Sequence, residues 1–296
     1  MSQLEKILAH PKTIKTAGSY INRPNGPLLI IGASGSGKAE LARAIAAELL
    51  GLDSAGKLDS YPYFHMVEKP RDKQDIPIEA IRAIGRQIRL KTPGKGGIRR
   101  VVLIVDAQHM STQAQNALLK ILEEPDDTTT FLLTAESRQA LLPTIVSRAQ
   151  RIVSHPVDFE QALKHFSVRF DEAMIKSAWN LSRGNSALLA ALLSQGSEHS
   201  LKNAIVEAKS FFMKDRYQRL LALEKLSKSK EDFELFLEAL ERILSVLHRQ
   251  SIVNGKKSQS KKLANDRQLV LSCRQALGIN ANARLIGLNL AIRLNS

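Results

Sequence analysis

Gly32-Ala33-Ser34-Gly35-Ser36-Gly37-Lys38-Ala39 follows the apolar run Pro27-Leu28-Leu29-Ile30-Ile31 and opens onto a helical pattern from Glu40 to Leu50. Glycines at 32, 35 and 37 let the backbone turn with its N–H groups inward, and the helix N-terminus behind them adds positive potential. Lys38 follows at the spacing from which its ammonium reaches terminal phosphate oxygens, so the stretch reads as a P-loop, a cradle for nucleotide phosphates. The residues expected to form it are Gly32, Gly35, Ser36, Gly37, Lys38 and Ala39. The pattern ordinarily ends in Ser or Thr, whose hydroxyl ligates Mg²⁺; Ala39 offers a methyl group instead. Phosphate binding survives that change on chemical grounds, and hydrolysis is put in question. A purely structural glycine turn is the alternative reading of the same residues.

Working outward, Arg99-Arg100-Val101-Val102-Leu103-Ile104-Val105-Asp106 is continuously apolar until its final carboxylate, as a strand buried on both faces of a parallel sheet should be. Asp106 then lies at the strand's C-terminal end, the edge that holds nucleotide in P-loop proteins and where an aspartate normally holds Mg²⁺. The following residue is Ala107, not a glutamate able to activate water. Further strands are predicted around Tyr61 to Val67, Thr129 to Thr134 and Ile152. Helices are predicted after the P-loop, from Ile78 to Ile88, from Ser111 through Glu124 to the stop at Pro125, and through Ile145. Residues 2–9 read as a short helix and Lys12 to Gly26 as a loop. Strands alternating with helices over residues 27–153 predict an α/β fold with a parallel sheet and flanking helices.

Composition bounds the rest. The chain has 296 residues, 44% hydrophobic and 24% charged, which fits a soluble globular protein of two or three domains. No apolar run suits a membrane span and the start lacks a signal-peptide core, so a cytoplasmic protein without membrane partners is expected. One cysteine, Cys273, excludes a disulfide framework and a cysteine zinc site, and reads as a buried apolar residue. The net charge of +14 points to a polyanionic partner or an acidic protein surface. The surplus is concentrated late: residues 201–296 carry 18 Lys and Arg against 9 Asp and Glu. Arg82, Arg86 and Arg89 recur at helical spacing and form a stripe able to track a DNA phosphate backbone, with a solvated helix face as the alternative. Glu123 and Glu124 fall in a last helical turn, where the macrodipole disfavours negative charge, which hints at a use in contact with another subunit.

After His155-Pro156 the β signal ends. Residues 158–195 predict about three short helices, broken at Ser167 and at Ser182-Arg183-Gly184-Asn185, with Trp179 as core. From Leu201 onward Phe211, Leu220, Phe233, Phe236, Leu240, Leu244 and Leu247 continue at helical spacing as a bundle. Asn254 to Lys262 reads as a polar basic loop between its helices and a candidate phosphate contact.

The order of these motifs resembles the AAA+ subunits of DNA polymerase clamp loaders, most closely the bacterial delta-prime branch. Asn116-Ala117-Leu118-Leu119-Lys120-Ile121-Leu122-Glu123-Glu124-Pro125 is similar to the family's most recognisable stretch. Leu142-Pro143-Thr144-Ile145-Val146-Ser147-Arg148-Ala149-Gln150 resembles its Ser-Arg-Cys segment with Ala149 in place of Cys, and Ile76 to Arg89 resembles its Ile-Arg helix. The likeness covers residues 27–195 well; beyond 200 it rests on helical character.

This resemblance implies an AAA+ module at 1–155, a helical lid at 156–198 and an all-α collar at 199–296. It implies ATP or ADP in the cradle, with Ala39 arguing against firmly held Mg²⁺. It also implies gamma/tau-type and delta subunits, a sliding clamp and primer–template DNA as partners in a hetero-oligomer. Arg148 is the implied arginine finger, acting in trans on a neighbour's nucleotide. Departures accompany the matches. No cysteines occupy residues 51–62, so the zinc module of many relatives is missing. Ala39 and Ala107 remove the metal hydroxyl and the water-activating group. Residues 182–187 lack the arginine that active members place after the glycine turn. These departures favour a stator-type subunit of the polymerase holoenzyme without ATPase activity of its own. An active gamma/tau-type ATPase is the alternative, and a P-loop small-molecule kinase a more remote one.

Overall fold

A computed structural model describes residues 2–70, 72–90, 92–93, 97–123, 127–194 and 199–294. Two compact units emerge, one formed by residues 1–169 with 184–186, the other by 170–183 with 187–296.

The first unit contains, in chain order, α1 (Gln3–Lys6), α2 (Pro11–Asn22), β1 (Leu28–Ile31), α3 (Lys38–Leu49), β2 (Phe64–Val67), α4 (Ile78–Ile88), β3 (Arg100–Ile104), α5 (Thr112–Glu123), β4 (Thr129–Ala135), α6 (Pro143–Arg148), β5 (Gln150–Val153) and α7 (Phe159–Phe166). All strand pairings are parallel, in the order β2-β3-β4-β1-β5. Because β4 enters between β1 and β3, the chain switches direction across the sheet beside β1, and the P-loop leaves the sheet at that switch point. Period-two alternation divides the strand residues between two cores. Leu28, Ile30, Val101, Leu103 and Leu132 pack with Ala17, Leu41 and Ile45 on one face, while Leu29, Val102, Ile104, Phe131 and Leu133 pack with Ile81, Leu118 and Ile145 on the other. Each fully buried Leu, Ile or Val contributes roughly 1.5–3 kcal/mol through area removed from water.

Two local expectations change. Lys12 to Gly26 is mostly α2, not a loop. Pro11 stands at its first turn, the His10 ring nitrogen Nδ1 accepts the Lys12 N–H at 3.1 Å, and Ala17 and Tyr20 are buried. Burial against the sheet offsets the poor helix propensity of Gly18 and the threonines. The helix expected over 2–9 shortens to α1.

Arg100 is 2% exposed, and its guanidinium donates to the Ile88 and Leu90 carbonyls at 2.7 and 2.6 Å, closing the C-terminal end of α4.

The second unit is helical: α8 (Glu172–Ser182), most of α9 (Ser186–Leu193), α10 (Ser200–Phe212), α11 (Arg216–Leu226), α12 (Lys230–Val253), α13 (Lys257–Gly278) and α14 (Ala283–Arg293). Phe211, Phe233, Phe236, Leu240, Leu244, Val270 and Leu290 form its core, with Phe211 edge-on to Phe236 at 5.2 Å between centroids. Cys273 is buried there, and burial raises its thiol pKa. Trp179 is half-buried, less enclosed than expected. The basic segment expected as a loop turns at Gly255, where φ is +70°, and then becomes the first turns of α13. Leu263 and Val270 pull those turns onto the bundle. Among the described residues no helix is long and apolar enough to cross a membrane.

Candidate nucleotide cradle and arginine edge

Gly35 and Gly37 adopt φ of +72° and +79°, a region open to glycine at little cost, and Gly37 starts α3. The Gly32 N–H donates to the Ala135 carbonyl at 3.1 Å, fixing the loop to β4. Lys38 is 5% exposed; its ammonium donates to the Ala33 carbonyl at 3.0 Å and lies 3.8 Å from Asp106 Oδ1. Burial lowers the Lys38 pKa, against the opposing pull of Asp106 and Glu136. Asp106 stands at the C-terminal end of β3 in a left-handed conformation, φ +48°, with its N–H donating to the Thr134 hydroxyl at 2.8 Å. The P-loop residues and Asp106 therefore come together as expected. Ala107 is fully buried, so the water-activating position holds a core methyl group.

Side chains that the sequence reading did not single out for this site complete it. Ser154 donates to the Ser36 carbonyl at 2.8 Å, and Asn185 Nδ2 donates to the Ser34 carbonyl at 2.7 Å. A β-carbon at Gly35 would fall 2.6 Å from Asn185 Nδ2, and one at Gly37 2.7 Å from Ser186 Oγ, so the two glycine faces are walled by 185 and 186. The charge of Glu136, after β4, also favours the protonated form of Lys38. No sequence pattern announces these contacts, because they join loops separated by up to 151 positions.

A phosphate suits the residues present. The Ser36 and Ser186 hydroxyl oxygens are buried without hydrogen-bond partners among the described residues, and both lie with Lys38 around the glycine turn. Mg²⁺ does not fit in the usual way, since position 39 supplies a methyl group and the Asp106 carboxylate already lies 3.8 Å from the Lys38 ammonium.

Arg148 ends α6 far from this enclosure in character. Its side chain is 40% exposed, donating from Nη1 to the Thr144 carbonyl at 3.2 Å and from Nη2 to Glu123 Oε1 at 2.9 Å. Glu123 thus has a partner within the chain; Glu124 and Pro125 lie outside the described residues. Ala149, the residue after Arg148, packs into the sheet core. Arg82 and Arg86 on α4, and Arg89 just after it, are all exposed while Ile81 and Ile84 are buried.

The strand order, the glycine turn onto α3 and the carboxylate after β3 define a P-loop α/β protein. Residues 19–158 match the family model described as DNA polymerase III, delta subunit. The chain is 28% identical over 239 residues to DNA polymerase III subunit delta' of Haemophilus influenzae, covering 74% of this chain and 68% of that one. It is 27% identical over 231 residues to the Escherichia coli protein of that name, covering 72% and 68%. It is 35% identical over 133 residues to the Pseudomonas aeruginosa one, covering 40% of each. Over these stretches the chain is similar to the delta-prime subunits of DNA polymerase III.

Proposed function

We propose that this chain is the stator subunit of a DNA polymerase clamp loader, helping to place a sliding clamp on primed DNA and supplying Arg148 to a neighbour's ATP site. The observation that carries the reading is the contrast between an arginine presented at the end of α6 and a home cradle without hydrolytic groups. An exposed guanidinium neutralises charge that spreads over phosphoryl oxygens in the transition state, and its fork suits phosphate better than a lysine does. Other clamp-loader subunits are the partners this reading implies. Gamma/tau-type and delta subunits as neighbours, the clamp, and primer–template DNA along Arg82, Arg86 and Arg89 complete the proposal. Residues 156–198 act as lid and 199–296 as collar in this assignment.

The cradle acts as a weak, non-catalytic site for ATP or ADP. Lys38, Ser36, Ser186 and the loop backbone would hold the phosphates, and Asn185 would have to leave the Ser34 carbonyl to admit them.

The deciding experiment measures nucleotide content and ATP turnover of the purified chain. No turnover above background is expected, because the alanines at 39 and 107 each remove a factor commonly worth about 10² or more. Hydrolysis near about 1 s⁻¹, a rate typical of active phosphoryl-transfer enzymes, that Lys38→Ala abolishes would replace the stator with an active gamma/tau-type ATPase.

A further inference from the structure

Glu123 stands where the α5 macrodipole opposes a carboxylate, in the last turn of the helix. Its oxygen takes one N–H of Arg148 while the Thr144 carbonyl takes another. At the other end of the same helix pair, buried Gln115 accepts the Leu142 N–H at 2.8 Å and donates to the Met110 carbonyl at 3.3 Å. Ile145 shares a core cluster with Leu118 and Leu122 between these two ends. The short helix carrying the arginine is therefore pinned to α5 by a buried amide at its start and by Glu123 at its finish.

We propose that Glu123 is a positioning residue for Arg148, an inference that rests on the reading of Arg148 as acting in trans. A guanidinium has five N–H donors; two are engaged here, leaving three for an incoming phosphate. Without a tether, a long surface side chain samples many rotamers and loses that freedom each time it engages. Glu123 fixes the plane of the fork without filling it. Its negative charge works against phosphate attraction, so what it supplies is orientation, not charge. That separates two substitutions: glutamine keeps an oxygen acceptor and removes the charge, whereas alanine removes both.

The test uses complexes rebuilt with the cognate ATPase and delta subunits, clamp and primed DNA. Turnover at the neighbouring site should fall about tenfold in Glu123→Ala with the KM for ATP unchanged, the size expected when a reacting group is held less precisely. Glu123→Gln should stay within about twofold of wild type or exceed it. On an Arg148→Lys background, where a point charge has no plane to orient, Glu123→Ala should cost less than about twofold further. Wild-type turnover in Glu123→Ala, an equal tenfold loss on the lysine background, or failure of Glu123→Gln to restore turnover each overturns the inference. If Arg148→Ala leaves the neighbouring site active, the trans reading falls and takes this inference with it. If Arg148→Ala silences that site and Glu123→Ala does nothing, only the positioning role is lost.

Discussion

Lys38 and Arg148 are both cations of the first unit, and the fold treats them oppositely. Lys38 is buried at 5% exposure, bonded to its own loop and 3.8 Å from the Asp106 carboxylate. Arg148 keeps 40% of its side chain in water and has one carboxylate to orient it. A cation enclosed in that way serves the loop that holds it. One left at the end of a short helix, partly in water, keeps donors that its own chain does not use. The same glycine loop that would hold a substrate in an active enzyme is here also part of the packing, bound by Ser154 and Asn185.

The strongest way to break this comparison is Arg148→Ala in a reconstituted clamp loader. Arginine fingers contribute roughly 10³–10⁵ in rate, so turnover at the neighbouring site should vanish while other sites continue and clamp loading fails. Were the residue only a surface ion-pair partner, worth ~0–1 kcal/mol, loading would proceed normally.

The cradle side is tested by Gly184→Ala. Gly184 has φ +76°, and a β-carbon there would fall 2.5 Å from the Val157 carbonyl oxygen and 2.9 Å from Pro156 Cβ. The backbone must shift at the segment that brings Asn185 over Gly35, so a loss of about 1–3 kcal/mol in unfolding free energy is expected by denaturant titration. A cradle that tolerates this change unaltered would not depend on its 184–186 wall.

A third surface sharpens the outward half of the contrast. Replacing Arg82, Arg86 and Arg89 with alanine should lower the salt-dependence slope of duplex DNA binding by the assembled complex by about 0.9 for each phosphate that is no longer neutralised. An unchanged slope returns the stripe to an ordinary solvated helix face.

The smallest effect lies outside both regions and provides a pH control for ring assays. His199 caps α10, its Nδ1 accepting the Leu201 N–H at 3.1 Å. Burial lowers its pKa from the ordinary 6.5, Arg242 lowers it further and Glu238 raises it. Because the folded value lies below the unfolded one, the stabilising contribution is complete above that ordinary value and is lost as pH falls through the folded value. Lowering pH from about 7 to about 5 should therefore destabilise wild type more than His199→Asn, which keeps an uncharged cap. Equal acid sensitivity in the two proteins would remove this assignment.

Much of the fold was legible in the sequence because its signals are local or periodic. Leu28 to Ile31, Val101 to Ile104 and Thr129 to Ala135 are apolar enough to demand burial on both faces, and Gly35 and Gly37 stand where the loop needs positive φ. Asp106 after such a strand, and Arg148 at the end of a proline-started helix, were placed by the same regularities. The helix at Pro11–Asn22 was missed because its propensities are weak and its stability comes from seating Ala17 and Tyr20 on a sheet built by later residues.

What the sequence by itself determined was the α/β order, the P-loop, and the missing hydroxyl and carboxylate at 39 and 107, since each depends on residue identity or spacing along the chain. What only the tertiary structure decided was that Asn185 and Ser186 wall the cradle, that Glu136 joins Asp106 in favouring the protonated form of Lys38, and that Glu123 holds Arg148. Those pairings form across long loops through short-range hydrogen bonds and charges, which act on distance in space and leave no periodic trace in the chain.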